Sequence, residues 1–349
     1  MNELQELAQN LTEQDIQREL QNRYMHEFIR GAWDTLEPGR EFYDNWHIEA
    51  ICEHLEAVSR GELQRLIINI PPRHMKSLTC SVAFPCWTWI HQPNKQFLFA
   101  SYAQSLSTRD SVKCRRLLTS KWYQDNWGQR FHMTGDQNQK QRFENNHNGH
   151  RIATSVGGGL TGEGGDIIVI DDPHNVKQAE SEAVRQDVLE WWDTAVPSRL
   201  NDPKTGAFVI IMQRVHEKDL TGHILKKQAE AFEDKLQTDP DEWTHLCVPA
   251  EYEENHPHRY FSKLPDTSVP EDPRQDEGEL LWANRFNRKA ISNLSSSLGE
   301  YASAGQLQQR PAPKGGGIIR EKWWRLWEKD TNPKMIYVIQ SWDTAFSQK

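Results

Sequence analysis

Two short stretches of this chain carry residues whose types and spacing suit chemistry: Lys76-Ser77 and, 95 residues further on, Asp171-Asp172. A lysine ammonium beside the backbone N–H groups of a helix N-terminus binds an anion, and a neighbouring hydroxyl can ligate magnesium. Two adjacent carboxylates can divide labour, one holding the ion through water while the other orients or deprotonates a water. The chemistry suggested is phosphate binding joined to water activation.

Each pair needs an element to hold it. Leu66-Ile67-Ile68-Asn69-Ile70 is rich in β-branched residues and predicts a buried strand, which Pro71-Pro72 must end. Leu78 to Trp89 is apolar and long enough for a buried helix, bent or ended by Pro85. The pattern G-x-x-x-x-G-K-[ST] places glycines where this chain has Ile70 and Met75. From this stretch alone, an ordinary connection with an exposed lysine is equally open. The second pair is the more specific signal. Ile167 to Ile170 predicts a buried strand that delivers Asp171 and Asp172 to its C-terminal end, where open α/β sheets bind ligands. The 95-residue separation leaves room for two intervening strands. Six glycines between Gly157 and Gly165 suit a mobile loop or a close backbone approach. Ala207 to Met212 predicts another buried strand, ending at Gln213-Arg214, where a polar side chain can sense a terminal phosphate. For Arg199 and Arg214 the plainer expectation is ordinary surface pairing.

Around these lie further expected elements. Leu4, Leu7, Leu11, Ile16 and Leu20 predict one or two amphipathic helices, and Phe42 to Leu55 another that approaches Gly61. Within the latter, Trp46 and His47 could stack on a base or simply anchor the helix to the sheet. Gln96 to Ser101 predicts a strand, and Ser105 to Leu118 a helix carrying Arg109, Lys113, Arg115 and Arg116. Residues 120 to 150 are polar with little periodicity, Arg151 to Val156 suggests a strand, and 177 to 194 a charged helix. Residues 226 to 280 hold 15 Asp and Glu against 6 Lys and Arg and are proline-rich, so they read as an irregular connector. That block accounts for the whole net charge of −9, which leaves a local basic groove possible elsewhere. Trp282 to Leu298 predicts a helix, PAPKGGG at 311 to 317 a linker, and Met335 to Ile339 a last strand. Trp323, Trp324 and Trp327 read as packing residues.

At 349 residues, 36% hydrophobic and 26% charged, the composition is that of a soluble globular protein with room for one large domain or two. No apolar stretch approaches the roughly 18 residues of a membrane span, and no signal peptide is read. Five scattered cysteines make no C-x-x-C pair and point to a reducing cytoplasm.

Taken together, the residues resemble the large subunit of tailed-phage terminases, a DNA-packaging motor. The matching stretches are WHIEAICEHLEAV, LIINIPPRHMKS, FASYAQSLSTRDS, GGGLTGEGGDIIVIDDP, VIIMQRVHEKDLTGHIL, QLQQRPAP and IQSWDTAF, in family order from about residue 40 to 346. The family's loop departs from the glycine pattern as PPR..KS. The resemblance implies an α/β P-loop NTPase of RecA-like, additional-strand type, with a mostly parallel sheet flanked by helices. It divides the chain into N-terminal helices (1–40), a P-loop core (41–225), an acidic lid and linker (226–330) and the first strand of a ribonuclease-H-type nuclease (331–349).

It further implies ATP and magnesium as cofactors. Pro72, Arg73, His74, Met75, Lys76 and Ser77 would cradle the nucleotide, with Arg73, Lys76 and Ser77 as the Walker A residues and Trp46 and His47 near the base. Ser77 and Asp171 would hold magnesium, Asp172 takes the catalytic glutamate's place, and Gln213 falls in the motif that couples hydrolysis to movement. Asp343 matches the nuclease's first metal ligand. Its companions would lie beyond Lys349, so the expectation is that this chain cuts no DNA. Implied partners are double-stranded DNA, the terminase small subunit, the portal protein and further copies of the chain in a ring, in the host cytoplasm.

Two departures stand out. Asp172 is one methylene shorter than a glutamate. Glu163 occupies a glycine loop where some relatives carry a basic residue, which leaves Arg109 and Arg199 as candidates for an arginine acting on a neighbouring subunit. Arg109 is expected to be exposed and away from its own phosphate loop. Alternative functions are a helicase-like P-loop motor unrelated to packaging and a non-hydrolysing module that docks on portal or capsid. The carboxylate pair favours hydrolysis.

Overall fold

The computed structural model describes residues 12–159, 162–233, 242–258 and 272–312. The chain divides into a first unit, Met1–Ala312, and a second, Pro313–Lys349. The expected linker beyond Ala312, Trp323, Trp324, Trp327, the Met335–Ile339 strand and Asp343 lie outside the described residues, as do Leu4, Leu7 and Leu11.

Among the described residues an eight-stranded sheet runs β3-β4-β5-β2-β6-β7-β1-β8. Its strands are β1 (Arg65–Asn69), β2 (Phe97–Ser101), β3 (Met133–Asn138), β4 (Arg142–Asn145), β5 (His150–Ser155), β6 (Ile167–Asp171), β7 (Ala207–Met212) and β8 (Thr244–Cys247). From β5 to β8 all pairings are parallel; β3 and β4 add an antiparallel edge. The strand bearing the Lys-Ser loop, β1, and the carboxylate strand, β6, are separated by β7 alone, the additional-strand order that the resemblance implies.

The sheet is buried because its central strands are apolar on both faces. On one face Leu66, Ile68, Phe97, Phe99, Ile167, Val169, Val209 and Ile211 join a core with α2 (Met25–Leu36), α3 (Trp46–Arg60) and α4 (Phe84–His91). On the other, Ile67, Leu98, Ile168, Ile170, Phe208 and Ile210 meet α7 (Glu182–Ala195) and α8 (Leu220–Glu233). Each such side chain contributes roughly 1.5–3 kcal/mol by burial, so these strands outweigh any local preference. An amphipathic α1 (Glu13–Arg23) precedes them. After β2 come α5 (Gln104–Leu118) and α6 (Lys121–Trp127), and α9 (Arg288–Gln306) ends the first unit's helices, with a break at Gly299, φ 77°.

Three expectations are corrected. Four strands, not two, lie between Lys76 and Asp171, because β3 and β4 form a hairpin in the polar stretch that showed no periodicity. The core does not end at residue 225: β8, inside the acidic block, pairs in parallel with β1 from Leu66↔Thr244 to Asn69↔Cys247. The helix expected from Trp282 starts at Arg288 instead, and Trp282's own segment is a turn that packs its side chain at 3% exposure.

Candidate active site

The parallel strands all end on one edge, and the candidate residues gather there. After β1 the chain turns through Pro71-Pro72 into Arg73 and Met75, both in the left-handed region at φ 68° and 65°. Met75 occupies the glycine position of the phosphate-loop pattern and adopts the glycine's backbone. That costs roughly 1–2 kcal/mol for a residue with a Cβ, offset by about the same amount from burying its side chain, 8% exposed, in the core. The text pattern fails while the geometry that it encodes persists.

Beyond the loop a π-helix, Leu78–Ala83, passes into α4 at Phe84. Pro85 has no N–H to give to the carbonyl of Ser81, four residues back. The Arg151 guanidinium takes that acceptor instead, Nη2 to O at 2.9 Å. This wide turn presents Ser77 and Ser81 to the same carboxylate.

Asp171 shares a strand face with Ile167 and Val169 and therefore points toward that helix. Ser77 Oγ donates to its Oδ1 at 3.1 Å and Ser81 Oγ to its Oδ2 at 2.7 Å. Burial, then the adjacent Asp172 and Asp110, push its pKa up to about 7, against the opposing pull of Lys76. Asp172 comes next, in the left-handed region at φ 46°. Its Oδ1 accepts from Lys76 Nζ at 2.7 Å and from the Gln213 backbone N–H at 3.2 Å. The loop, β6 and β7 thus converge on two side chains through four hydrogen bonds.

These residues fit a magnesium–phosphate ligand by donor chemistry. Asp171 and Ser77 are the oxygen donors that such an ion takes when substrate phosphates and water complete its shell. Among the described residues no three His, Cys, Asp or Glu side chains form a cage, and this mode of binding needs none.

The edge opens into a cleft of about 1730 Å³ lined by Pro72, Arg73, Met75, Lys76, Ser77, Asp171, Asp172 and Gln213, among others. Its described lining holds nine Lys and Arg against five Asp and Glu. In a chain of net charge −9 that is a local basic site suited to polyphosphate.

Sequence reasoning missed part of this wall: Trp33, Arg40, Tyr43, Lys140 and Arg285 also line it. Of these, only the turn at Glu37-Pro38-Gly39-Arg40 left a local signal. Trp33 Nε1 donates to the Arg40 carbonyl at 2.6 Å, which fixes that turn against α2.

No comparison with family models finds a match, and none with curated proteins does either. Solved structures do resemble the chain. The large terminase of bacteriophage HK97 is similar over 67% of this chain and 44% of its own, at 12% identity and a TM-score of 0.39. The large terminase of the thermophilic bacteriophage D6E, in complex with ADP, is similar over 73% of this chain and 52% of its own, at 8% identity and a TM-score of 0.41. The ATPase domain of the Thermus phage P74-26 large terminase is similar over 51% of this chain and 68% of its own, at 12% identity and a TM-score of 0.32. This chain therefore spans about half the length of the first two.

Of the candidate residues, Trp46, His47, His74 and Arg199 stand outside the lining of the cleft and Arg109 belongs to it. His47 is fully buried, its ring 5.0 Å from Trp282, and neither it nor Trp46 lines the cleft. Burial holds His47 well below the usual histidine pKa. Both act as the anchor that the sequence left open, with Arg274 over the Trp46 ring at 5.7 Å. His74 also turns away: it stacks on Phe286 at 4.8 Å, donates from Nδ1 to the Pro72 carbonyl, and is pushed down to about 4 by burial. Arg109 is not remote from its own loop. It lines the same cleft and grips Asp110 at 2.8 and 3.0 Å, because α5 follows β2 directly and β2 neighbours β6. Arg199 sits at the opposite edge of the sheet, where Gly165 N donates to its carbonyl just before β6 begins.

Arg214 is no surface pair. At 4% exposure it bonds Asp219, itself fully buried, through Nε at 3.0 Å to both oxygens. Glu163, the departure in the glycine loop, is held by Arg142 at 2.8 Å to both carboxylate oxygens.

Proposed function

We propose that this chain binds ATP with magnesium and hydrolyses it, as the motor subunit that moves double-stranded DNA into a viral procapsid. The observation that carries the hydrolytic reading is the convergence of Lys76, Ser77, Asp171 and Asp172 at one strand edge beside a basic cleft. Lys76 would leave Asp172 for the β- and γ-phosphates, which frees the carboxylate to accept a proton from water. Ser77 and Asp171 would hold the magnesium, whose charge neutralises the transferring phosphoryl group. Gln213, whose Oε1 is buried with no hydrogen-bond partner among the described residues, would orient the water or sense the γ-phosphate. The packaging role, the small-subunit and portal partners and the ring of copies rest on the sequence resemblance.

The test is phosphate release with magnesium and ATP, with Lys76→Ala and Asp172→Asn. Wild-type turnover, nucleotide binding lost in the first variant, and binding retained with turnover down on the order of 10²-fold in the second are expected. Turnover in Asp172→Asn near that of the wild type would move the base elsewhere. Binding without turnover by the wild type would favour the docking module.

A further inference from the structure

The dipeptide Gln213-Arg214 has two consecutive backbone N–H groups with two different destinations. That of Gln213 donates to Asp172 Oδ1 at 3.2 Å, and that of Arg214 donates to Gln309 Oε1 at 2.9 Å. Gln309 is fully buried, sits in the left-handed region at φ 55°, and returns its own Nε2 to the Gln306 carbonyl at 2.6 Å. A non-glycine residue keeps such a backbone only where its surroundings fix it, and such places cluster at switches and sites.

A second contact leads to the same dipeptide independently. A Cβ on Gly305 would stand 3.0 Å from the Arg214 carbonyl oxygen, so the end of α9 lies close against this backbone and a side chain there would press on it. The next residues are tied on their far side. Gln308 bonds Glu251 and Glu253, and Arg310 grips Glu253 at 2.6 and 2.8 Å. Pro313, where the second unit begins, stands four residues after Gln309.

We propose that Gln309 is a positioning residue for hydrolysis, which links the Asp172-facing peptide of Gln213-Arg214 to the segment by which the chain leaves its first unit. The proposal rests on the hydrolytic reading above. Adjacent peptide groups cannot shift separately: if Asp172 moves when Lys76 turns to a phosphate, the Gln213-Arg214 peptides follow, and Gln309 with them. The Arg214 side chain cannot absorb the movement, since Asp219 holds it together with the N–H groups of Val215, His216 and Gly222.

Hydrogen exchange on the 349-residue chain tests this. The probes are ADP and a non-hydrolysable ATP analogue, each with magnesium. In the wild type, amides 305–310 should exchange at different rates in the two complexes, and in Gln309→Leu they should not. That variant should keep ADP affinity within about threefold yet lose about tenfold or more in kcat, the worth of one buried hydrogen bond. Gln309→Glu, which keeps an acceptor for the Arg214 N–H, should recover part of the kcat.

Amides 305–310 that ignore the nucleotide while 73–77 become protected would overturn the relay and leave nucleotide binding intact. A parallel fall of affinity, melting temperature and kcat in Gln309→Leu would reduce Gln309 to a structural residue. Absence of protection at 73–77 in the wild type would sink the hydrolytic reading itself.

Discussion

Two buried arginines flank the site, and the protein treats them differently. Arg214, just past β7, meets a carboxylate: Asp219 takes its Nε and three backbone N–H groups besides. Arg151, on β5, is fully buried; its Nη2 donates to the Ser81 carbonyl at 2.9 Å and the Cys114 thiol lies beside its guanidinium. Among the described residues its Nε and Nη1 have no hydrogen-bond partner, and its charge rests over the Phe99 ring at 4.0 Å. Burial drags its pKa down, yet an arginine keeps its proton. Arg214 is locked by a complete network, whereas Arg151 carries a desolvation cost with few partners, the Ser81 carbonyl and the Cys114 thiol among them. A charge that is fully paired defines a rigid joint; a charge with few partners leaves more of its desolvation cost uncompensated.

The largest effect expected from breaking this comparison is Asp219→Ala. It strands the Arg214 cation and the start of α8, and should cost about 3–5 kcal/mol in chemical denaturation. A loss below about 1 kcal/mol would mean that the network is not what holds Arg214.

A third buried charge sharpens the contrast, because it can neutralise itself. Glu56 accepts from the Met25 backbone N–H at 2.6 Å, and burial pushes its pKa up to about 7 from 4.5. The folded state therefore binds this proton more tightly than the unfolded state. Its stabilising contribution is complete below about pH 4.5 and is lost as pH rises through about 7. Glu56→Gln keeps an acceptor for Met25 and removes the charge. At pH 8 it should gain about 1–3 kcal/mol, at about 1.4 kcal/mol per pKa unit, and at pH 4 almost nothing. An equal gain at both pH values would contradict the assignment.

Arg151→Met ranks third. It preserves the apolar stem, removes the cation and orphans one carbonyl, so the net loss should be only about 1–2 kcal/mol. A penalty as large as that of Asp219→Ala would show a stronger role for Arg151 than its few partners suggest.

Smallest is Met75→Gly. Relief of the left-handed backbone, roughly 1–2 kcal/mol, opposes the loss of a buried side chain worth roughly 1.5–3. The melting temperature should fall slightly; a clear rise would mean that strain outweighs packing at the loop.

The chain alone determined the central strands. Leu66–Ile70, Ile167–Ile170 and Ala207–Met212 are apolar without alternation, which only a sheet covered on both faces accommodates, and all three stand where expected. It also placed the Lys76-Ser77 and Asp171-Asp172 pairs at strand ends, because punctuation by proline and carboxylate is local. The β3–β4 hairpin stayed hidden because an exposed edge imposes no burial pattern.

Only the tertiary structure decided that Arg109 faces its own cleft, that Trp46 and His47 anchor rather than stack, and that Arg214 pairs inward. It alone revealed Gln309, whose partner Arg214 lies 95 residues away. A residue's role at such a site is set by what the sheet order brings beside it, and strand order is a property of long-range pairing that no local pattern encodes.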